Sequence, residues 1–366
     1  MVKKTIVTAF LFLLLLFFQS FIYCTIVLII IAFVWKEKFK KKFPFKYSYI
    51  LLISLLLLSF WSVLPQYRVE EDNDQQLIYQ DNDGNPVNPP MSHYLANIIL
   101  PEEELVNIGL WSLRFNIGIL EQLGIDTSLT EQIKTEISEV DNLYRPIKKL
   151  NWRGQFLMSG FTSQIFNMKG WGEKTKSVYL IKPKNYTSEK KYPVVFFCHG
   201  FLGNCKYYQG LLNELEDCFV MSIATDSWDG IFTNDDLNSI FNIQLPFLQN
   251  MGYQIDENNL HLIGFSNGGS AANIAYKNFS NKFKTIVYIS ADVKQTNNIS
   301  SRILLVGGGK DVEATTHADV YKRIKNNGGE VALFRYENDT HFIFIKRNSQ
   351  IIAFLNREMI QNNGHK

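Results

Sequence analysis

Hydrophobic and polar positions alternate differently in three parts of the chain. Residues Thr5 to Trp35 carry no charge and are almost wholly apolar, interrupted by Gln19-Ser20, and Tyr47 to Leu64 is a second uncharged run. A spanning helix needs about 20 apolar residues, so each run predicts one crossing, over 5–35 and 47–64. Val69 to Pro90 is polar, with Asp-Gly and Pro-Pro breakers, and reads as a linker or exposed loop. Between 91 and 150, Leu105, Ile108, Leu110, Trp111, Ile117, Leu120 and Leu123 recur at near-helical spacing, and Thr127 or Ser128 can cap a further helix from Leu129. That region packs on the remainder, approaches the membrane, or covers a site as a lid. The pattern thus divides the chain into a membrane anchor (1–66), a linker and helical region (67–150), and a third part (151–366).

From Gly154 strand and helix patterns alternate, which predicts an α/β fold with a mainly parallel sheet. Phe156 to Met168 and Ser177 to Pro183 read as early strands, joined through Gly170-Trp171-Gly172, and Lys184 to Lys191 as a polar turn. Tyr192 to Cys198 is nearly continuous apolar sequence, as a strand buried on both faces requires. There follow a helix over Lys206 to Asp217, a strand over Phe219 to Thr225, and a helix over Asp235 to Gly252 that Pro246 kinks or breaks. Further strands are expected over Asn259 to Phe265, Thr285 to Ser290, Arg302 to Val306 and Val331 to Tyr336, with helices after Ser266, over Ala318 to Asn326 and over Ser349 to Ile360. Only Val293 to Ser300 separate two of these strands, so no cap domain fits there.

Charge changes the picture at the N-terminal end. Residues 1–46 hold eight lysines and one glutamate, six of the lysines in Lys36 to Lys46; the remaining residues hold 29 basic and 34 acidic side chains, a net of −5. The positive-inside rule places the basic loop in the cytoplasm, and hence the bulk of the chain outside it. In the competing reading, Met1 to about Cys24 is a cleaved signal peptide, although no small-x-small cleavage site is evident. No basic patch with interleaved aromatics occurs downstream, which argues against a nucleic-acid partner. Of the four cysteines, Cys198 lies within a strand pattern, and Cys205 and Cys218 flank a predicted helix and could form one disulfide. None has metal-ligand spacing, and no cofactor is implied.

Candidate chemistry begins at Gly264-Phe265-Ser266-Asn267-Gly268. An apolar strand enters this Gly-x-Ser-x-Gly sequence and a small-residue helix leaves it, the context of a nucleophile elbow. The pentapeptide alone is weak; its partners decide. His199-Gly200-Phe201-Leu202-Gly203 follows a central strand, where acyl transfer needs a backbone N–H for the oxyanion. Phe201 and Asn267 are the expected donors. His199 reads as an orienting residue of that loop, and His261 as structural. Leu202, Trp228, Ile231 and Phe232 are candidate pocket residues, though loop aromatics as often merely pack. Asp311 ends Gly307-Gly308-Gly309-Lys310-Asp311 after one strand, and His341 follows the last. Asp292 and Glu313 are rival acids and His317 a rival base, while His93 and His365 lie in segments without evident chemistry.

The order Ser266, Asp311, His341 and the segments HGFLG, GFSNG, GGGKD and DTH make the chain from about residue 154 resemble the α/β-hydrolases, more the dienelactone-hydrolase-like and esterase branches than lipases with large caps. The resemblance implies an α/β-hydrolase fold preceded by the two membrane helices and the helical segment. It also implies that Ser266 attacks a carbonyl, His341 shuttles its proton and Asp311 holds the imidazole. The function expected is a membrane-anchored serine hydrolase of carboxylic esters, with a small-molecule ester or lipid as substrate and its catalytic domain outside the cytoplasm. Peptidase or acyl-transfer chemistry on the same fold, or an inactive membrane-tethered binding protein, are the alternatives.

Overall fold

The computed structural model describes residues 75–87, 176–200, 211–225, 230–294 and 300–360, with scattered positions between 114 and 138. The expected spans 5–35 and 47–64 lie outside them, and among the described residues no helix is long and apolar enough to cross a membrane. The expected strand over 156–168 and the Gly170-Trp171-Gly172 turn also lie outside.

Eight strands are present among the described residues: Gln75–Gln80 (β1), Lys176–Ile181 (β2), Tyr192–Cys198 (β3), Phe219–Ile223 (β4), Ile255–Phe265 (β5), Thr285–Ile289 (β6), Arg302–Gly308 (β7) and Val331–Tyr336 (β8). They form one sheet in the order β1-β2-β4-β3-β5-β6-β7-β8. β1 and β2 are antiparallel, β2 is antiparallel to β4, and all pairs from β4 to β8 are parallel. This mostly parallel sheet, with β5 at its centre, is α/β-hydrolase-like.

β1 corrects the reading of 69–90 as linker. Its glutamines hid the strand: Tyr79 is buried, and Gln80 is buried because its side-chain oxygen accepts a 2.9 Å bond from Gln244 Nε2. The chain after β1 is a genuine turn, with Asp81 accepting from the backbone of Asp83 and Asn85.

Central strands β4 and β6 are buried throughout, as is all of β7 beyond Arg302. One face of the sheet packs its core against a helical stretch, Asn234–Ser239 (α1), a π-segment Ile240–Gln244 and Leu245–Asn250 (α2), and against Gly269–Asn278 (α3). α1 starts on a capping box, the Thr233 side chain accepting from Asp236 N–H and the Asp236 carboxylate from Thr233 N–H. The helix expected to be kinked or broken by Pro246 is interrupted beside it, by the π segment at 240–244. Pro246 sits in the first turn of α2, and the wider turn before it, in which Leu245 N–H reaches back to the Ile240 carbonyl, makes room for its ring. The amphipathic helix His317–Asn326 (α4) buries His317, Val320 and Ile324. Ile343–Lys346 (α5), absent from the sequence reading, and Asn348–Leu355 (α6) follow β8. Ring contacts Phe265–Phe344 and Phe334–Phe354 seat α5 and α6 against the strands. The described part of the expected helix over 206–217 is a turn at 211–214. Cys218 is a buried free thiol, so it forms no disulfide with Cys205.

Candidate active site

Parallel register brings the chemistry-bearing loops to one edge. Cys198 pairs with Gly264, Ile289 with Phe265 and with Val306, and Gly308 with Tyr336. The chain therefore leaves β3, β5, β6, β7 and β8 at the same, carboxyl end of the sheet, where ligands of open α/β sheets bind.

Ser266 leaves β5 with φ 51°, and the chain enters a 3₁₀ turn over Ser266–Gly268 and then α3. A non-glycine residue in the left-handed region costs about 1 kcal/mol or more. Two neighbouring glycines make the turn possible. A Cβ on Gly268 would lie 2.1 Å from the Cys198 carbonyl oxygen, and one on Gly264 would lie 2.4 Å from the Gly268 oxygen. Gly200, in the loop after β3, approaches the serine directly: a Cβ there would meet Ser266 Cβ at 2.9 Å. Replacing Gly200 by Ala should therefore reduce any turnover far more than it reduces the melting temperature, measured side by side on the purified variant.

His341 Nε2 lies 3.0 Å from Ser266 Oγ, and His341 Nδ1 lies 3.0 Å from Asp311 Oδ1. Burial pushes the Asp311 carboxyl up, but the His341 hydrogen bond and charge, the Glu313 N–H and Ser290 outweigh it, so its pKa stands below the ordinary value. Asp311 is thus an acceptor only. Nδ1 therefore carries the proton that Asp311 accepts, and in the neutral imidazole Nε2 is the acceptor that faces Ser266 Oγ.

The rivals are separated from this chain of bonds. Asp292 gives its carbonyl to Asn273 Nδ2 at 2.9 Å, and Glu313 contributes its backbone N–H, not its carboxylate, to Asp311. His317 is buried with Nε2 2.7 Å from the Ala291 carbonyl. A carbonyl only accepts, so Nε2–H donates, and burial lowers the pKa of the ring and keeps it neutral. His199 is likewise buried and lowered by burial, with Nδ1 2.9 Å from the Gly200 oxygen and its ring edge-on to Phe232. His261, inside β5, is pushed down to about 3 by burial and by Lys284. It is a neutral core residue.

Of the expected pocket and oxyanion residues, Phe201, Leu202 and Trp228 lie outside the described residues, as do His93 and His365. Phe232 is buried in the core, its N–H donating to Ser270 Oγ at 2.8 Å, while Ser270 Oγ–H donates to the Asn267 carbonyl. The loop end at 232 is thereby fastened to the start of α3. Its neighbour Ile231 is exposed. Among the described residues no group of His, Cys, Asp and Glu could hold a metal.

Three contributors escaped sequence reading. Asp339 is buried two residues before His341 and pairs with Arg347 Nε at 2.8 Å and Lys346 Nζ at 3.0 Å. Its backbone oxygen accepts from Lys310 N–H at 3.0 Å, so the acid and base loops are bonded to each other. Arg335 reaches from β8 to the Ala314 carbonyl at 3.0 Å, bracing the turn after Asp311. Ser290 is the third. The pattern of an acidic residue followed by Lys-Arg seven and eight residues on, about two helical turns, was a usable signal for Asp339; nothing local marked the others.

Burial pushes the Asp339 carboxyl up, but the Arg347 and Lys346 hydrogen bonds and charges hold it below its ordinary value. A depressed carboxylate stabilises the fold above its unfolded pKa, and that contribution is lost as pH falls through the folded value. Asp339→Asn should therefore cost roughly 2–4 kcal/mol at pH 7, less than for a fully buried pair because both cations are partly exposed. Denaturant unfolding of variant and wild type should show the gap narrowing as pH drops below about 4.

No protein-family model and no curated protein matches the sequence. Solved structures do show likeness. An acylaminoacyl peptidase of Pyrococcus horikoshii aligns at 18% identity and a TM-score of 0.41, over 51% of this chain and 40% of that one. One of two fungal esterases of Rhizomucor miehei aligns at 16% identity and a TM-score of 0.40, over 52% and 82%. Esterase 2 of Thermogutta terrifontis, in a form phosphonylated by sarin, aligns at 10% identity and a TM-score of 0.42, over 52% and 92%. Likeness at this level assigns neither family nor substrate.

Proposed function

We propose that this chain is a serine hydrolase that cleaves a carboxylic ester through an acyl-enzyme. The observation that carries the reading is the unbroken run Ser266 Oγ, His341 Nε2, His341 Nδ1, Asp311 Oδ1, both links at 3.0 Å, starting from a serine held at φ 51°. Ser266 Oγ bonds to the ester carbonyl carbon while its proton passes to Nε2. The negative oxygen is received by backbone N–H groups, for which Asn267 and Phe201 are the candidates. Collapse breaks the C–O bond, and the leaving alkoxide takes the proton from Nε2 as the free alcohol. Water then repeats the sequence on the acyl-enzyme, releasing the acid.

The uncharged runs at 5–35 and 47–64 and the lysine-rich loop between them support a multi-pass membrane anchor with the hydrolase part outside the cytoplasm, and a small ester or a lipid as substrate. Protease protection of sealed vesicles checks that topology.

The enzymatic reading is tested by treating the full-length protein with a fluorophosphonate and mapping the adduct, alongside a p-nitrophenyl ester series of increasing acyl length and matched anilides. Labelling at Ser266 with ester turnover well above anilide turnover is expected. Anilide turnover as fast as ester turnover would make it a peptidase. No labelling and no turnover would leave a binding protein.

A further inference from the structure

Ser290 stands beside the nucleophile and repeats its backbone. It is the first residue after β6, as Ser266 is the first after β5, and Phe265 pairs with Ile289, so the two serines leave neighbouring strands side by side. Their φ angles are 47° and 51°, both left-handed. Ser290 is wholly buried, and its backbone N–H donates to the Val306 carbonyl at 2.9 Å. Glycine would adopt this backbone without steric cost. A side chain kept there under strain calls for a use.

Its hydroxyl donates to the His341 carbonyl oxygen at 2.9 Å, and Ser290 also helps to hold the Asp311 carboxyl below its ordinary pKa. Asp311 Oδ1 already accepts from His341 Nδ1 and from Glu313 N–H. Asp311 Oδ2 is buried and accepts no hydrogen bond among the described residues. His317 cannot supply it, since its one N–H is given to Ala291. The carboxylate is therefore held through Oδ1 alone, and its grip on Nδ1 depends on where the backbone of residue 341 sets the imidazole.

We infer that Ser290 is a positioning residue for the Ser266–His341–Asp311 relay: its hydroxyl, bonded to the His341 carbonyl, fixes the backbone of the base and with it the seat of the imidazole between Ser266 Oγ and Asp311 Oδ1. The inference rests on the serine-hydrolase reading. It places a second, non-nucleophilic serine under the site, acting through the acid and base.

The test is the rate of fluorophosphonate labelling of Ser266 against pH, in the full-length wild type and in Ser290→Ala and Ser290→Gly. Without the donor, the carboxylate is a stronger acceptor for Nδ1–H, and the imidazole keeps its second proton to higher pH. Both variants should label about tenfold more slowly at the plateau, the size of one lost hydrogen bond, with the midpoint pH moved upward. Ser290→Gly also relieves the φ strain, so its melting temperature should match or exceed that of wild type. An unmoved midpoint in both variants overturns the inference, as does wild-type behaviour in Ser290→Gly, which would reduce Ser290 to backbone strain alone. A wild type that does not label at all overturns the hydrolase reading itself, and this inference with it.

Discussion

Ser266→Ala is expected to lower ester turnover by roughly 10⁴- to 10⁶-fold and to abolish fluorophosphonate labelling, with little change in stability. In the proposed mechanism the oxygen removed is the attacking atom, and the histidine has no other hydroxyl of the relay to deprotonate. Alanine at φ 51° carries the same backbone strain as serine, so the turn is not relieved and the fold is not rewarded. The measurement is kcat on a p-nitrophenyl ester together with the unfolding midpoint. Turnover within tenfold of wild type would remove Ser266 from the chemistry, whatever the geometry suggests.

The second large effect is at the acid. Asp311→Asn should cost about 10⁴-fold in kcat, because an amide presents both a donor and an acceptor to Nδ1 and allows the wrong imidazole tautomer. Asp292→Asn and Glu313→Gln should stay within a few-fold of wild type, since neither side-chain carboxylate enters the relay. A kinetic comparison of the three variants at neutral pH separates them. If Asp292→Asn were the damaging change, the acid would have been assigned to the wrong strand.

Much of this arrangement was legible in the sequence because its elements carry their own signals. β3 and β6 are short apolar runs bounded by polar or glycine residues, and the strand–Gly-x-Ser-x-Gly–helix order fixes where β5 ends. The order Ser266, Asp311, His341 needed no distances. Asp311 was preferred from the sequence over Asp292, which also follows a strand, and the 3.0 Å distance to His341 Nδ1 sets Asp311 beside the base. β1 was not legible: Gln75-Gln76-Leu77-Ile78-Tyr79-Gln80 reads as polar, and it becomes a strand through its partner β2 and the Gln80–Gln244 bond. The π turn at 240–244 was also hidden, since the sequence shows a proline in a helix but not the extra residue that accommodates it. Ser290 was invisible for a different reason. Its importance lies in the His341 carbonyl that a distant loop brings to its hydroxyl, and nothing within ten residues of it announces that loop.

β1 and β2 meet although they stand about 100 residues apart in the chain. A contact of such high sequence separation forms late in folding, because its closure entropy must be met before the pairing rewards it. When β1 lifts away, β2 becomes an open sheet edge with the sequence Lys-Ser-Val-Tyr-Leu-Ile, mostly β-branched, aromatic or apolar. β1 is therefore an aggregation guard as well as a strand. Shortening the protein from its N-terminal side past residue 80 would remove β1 and leave the loops that carry Ser266, Asp311 and His341 untouched, and is expected to produce a chain that self-associates through that edge.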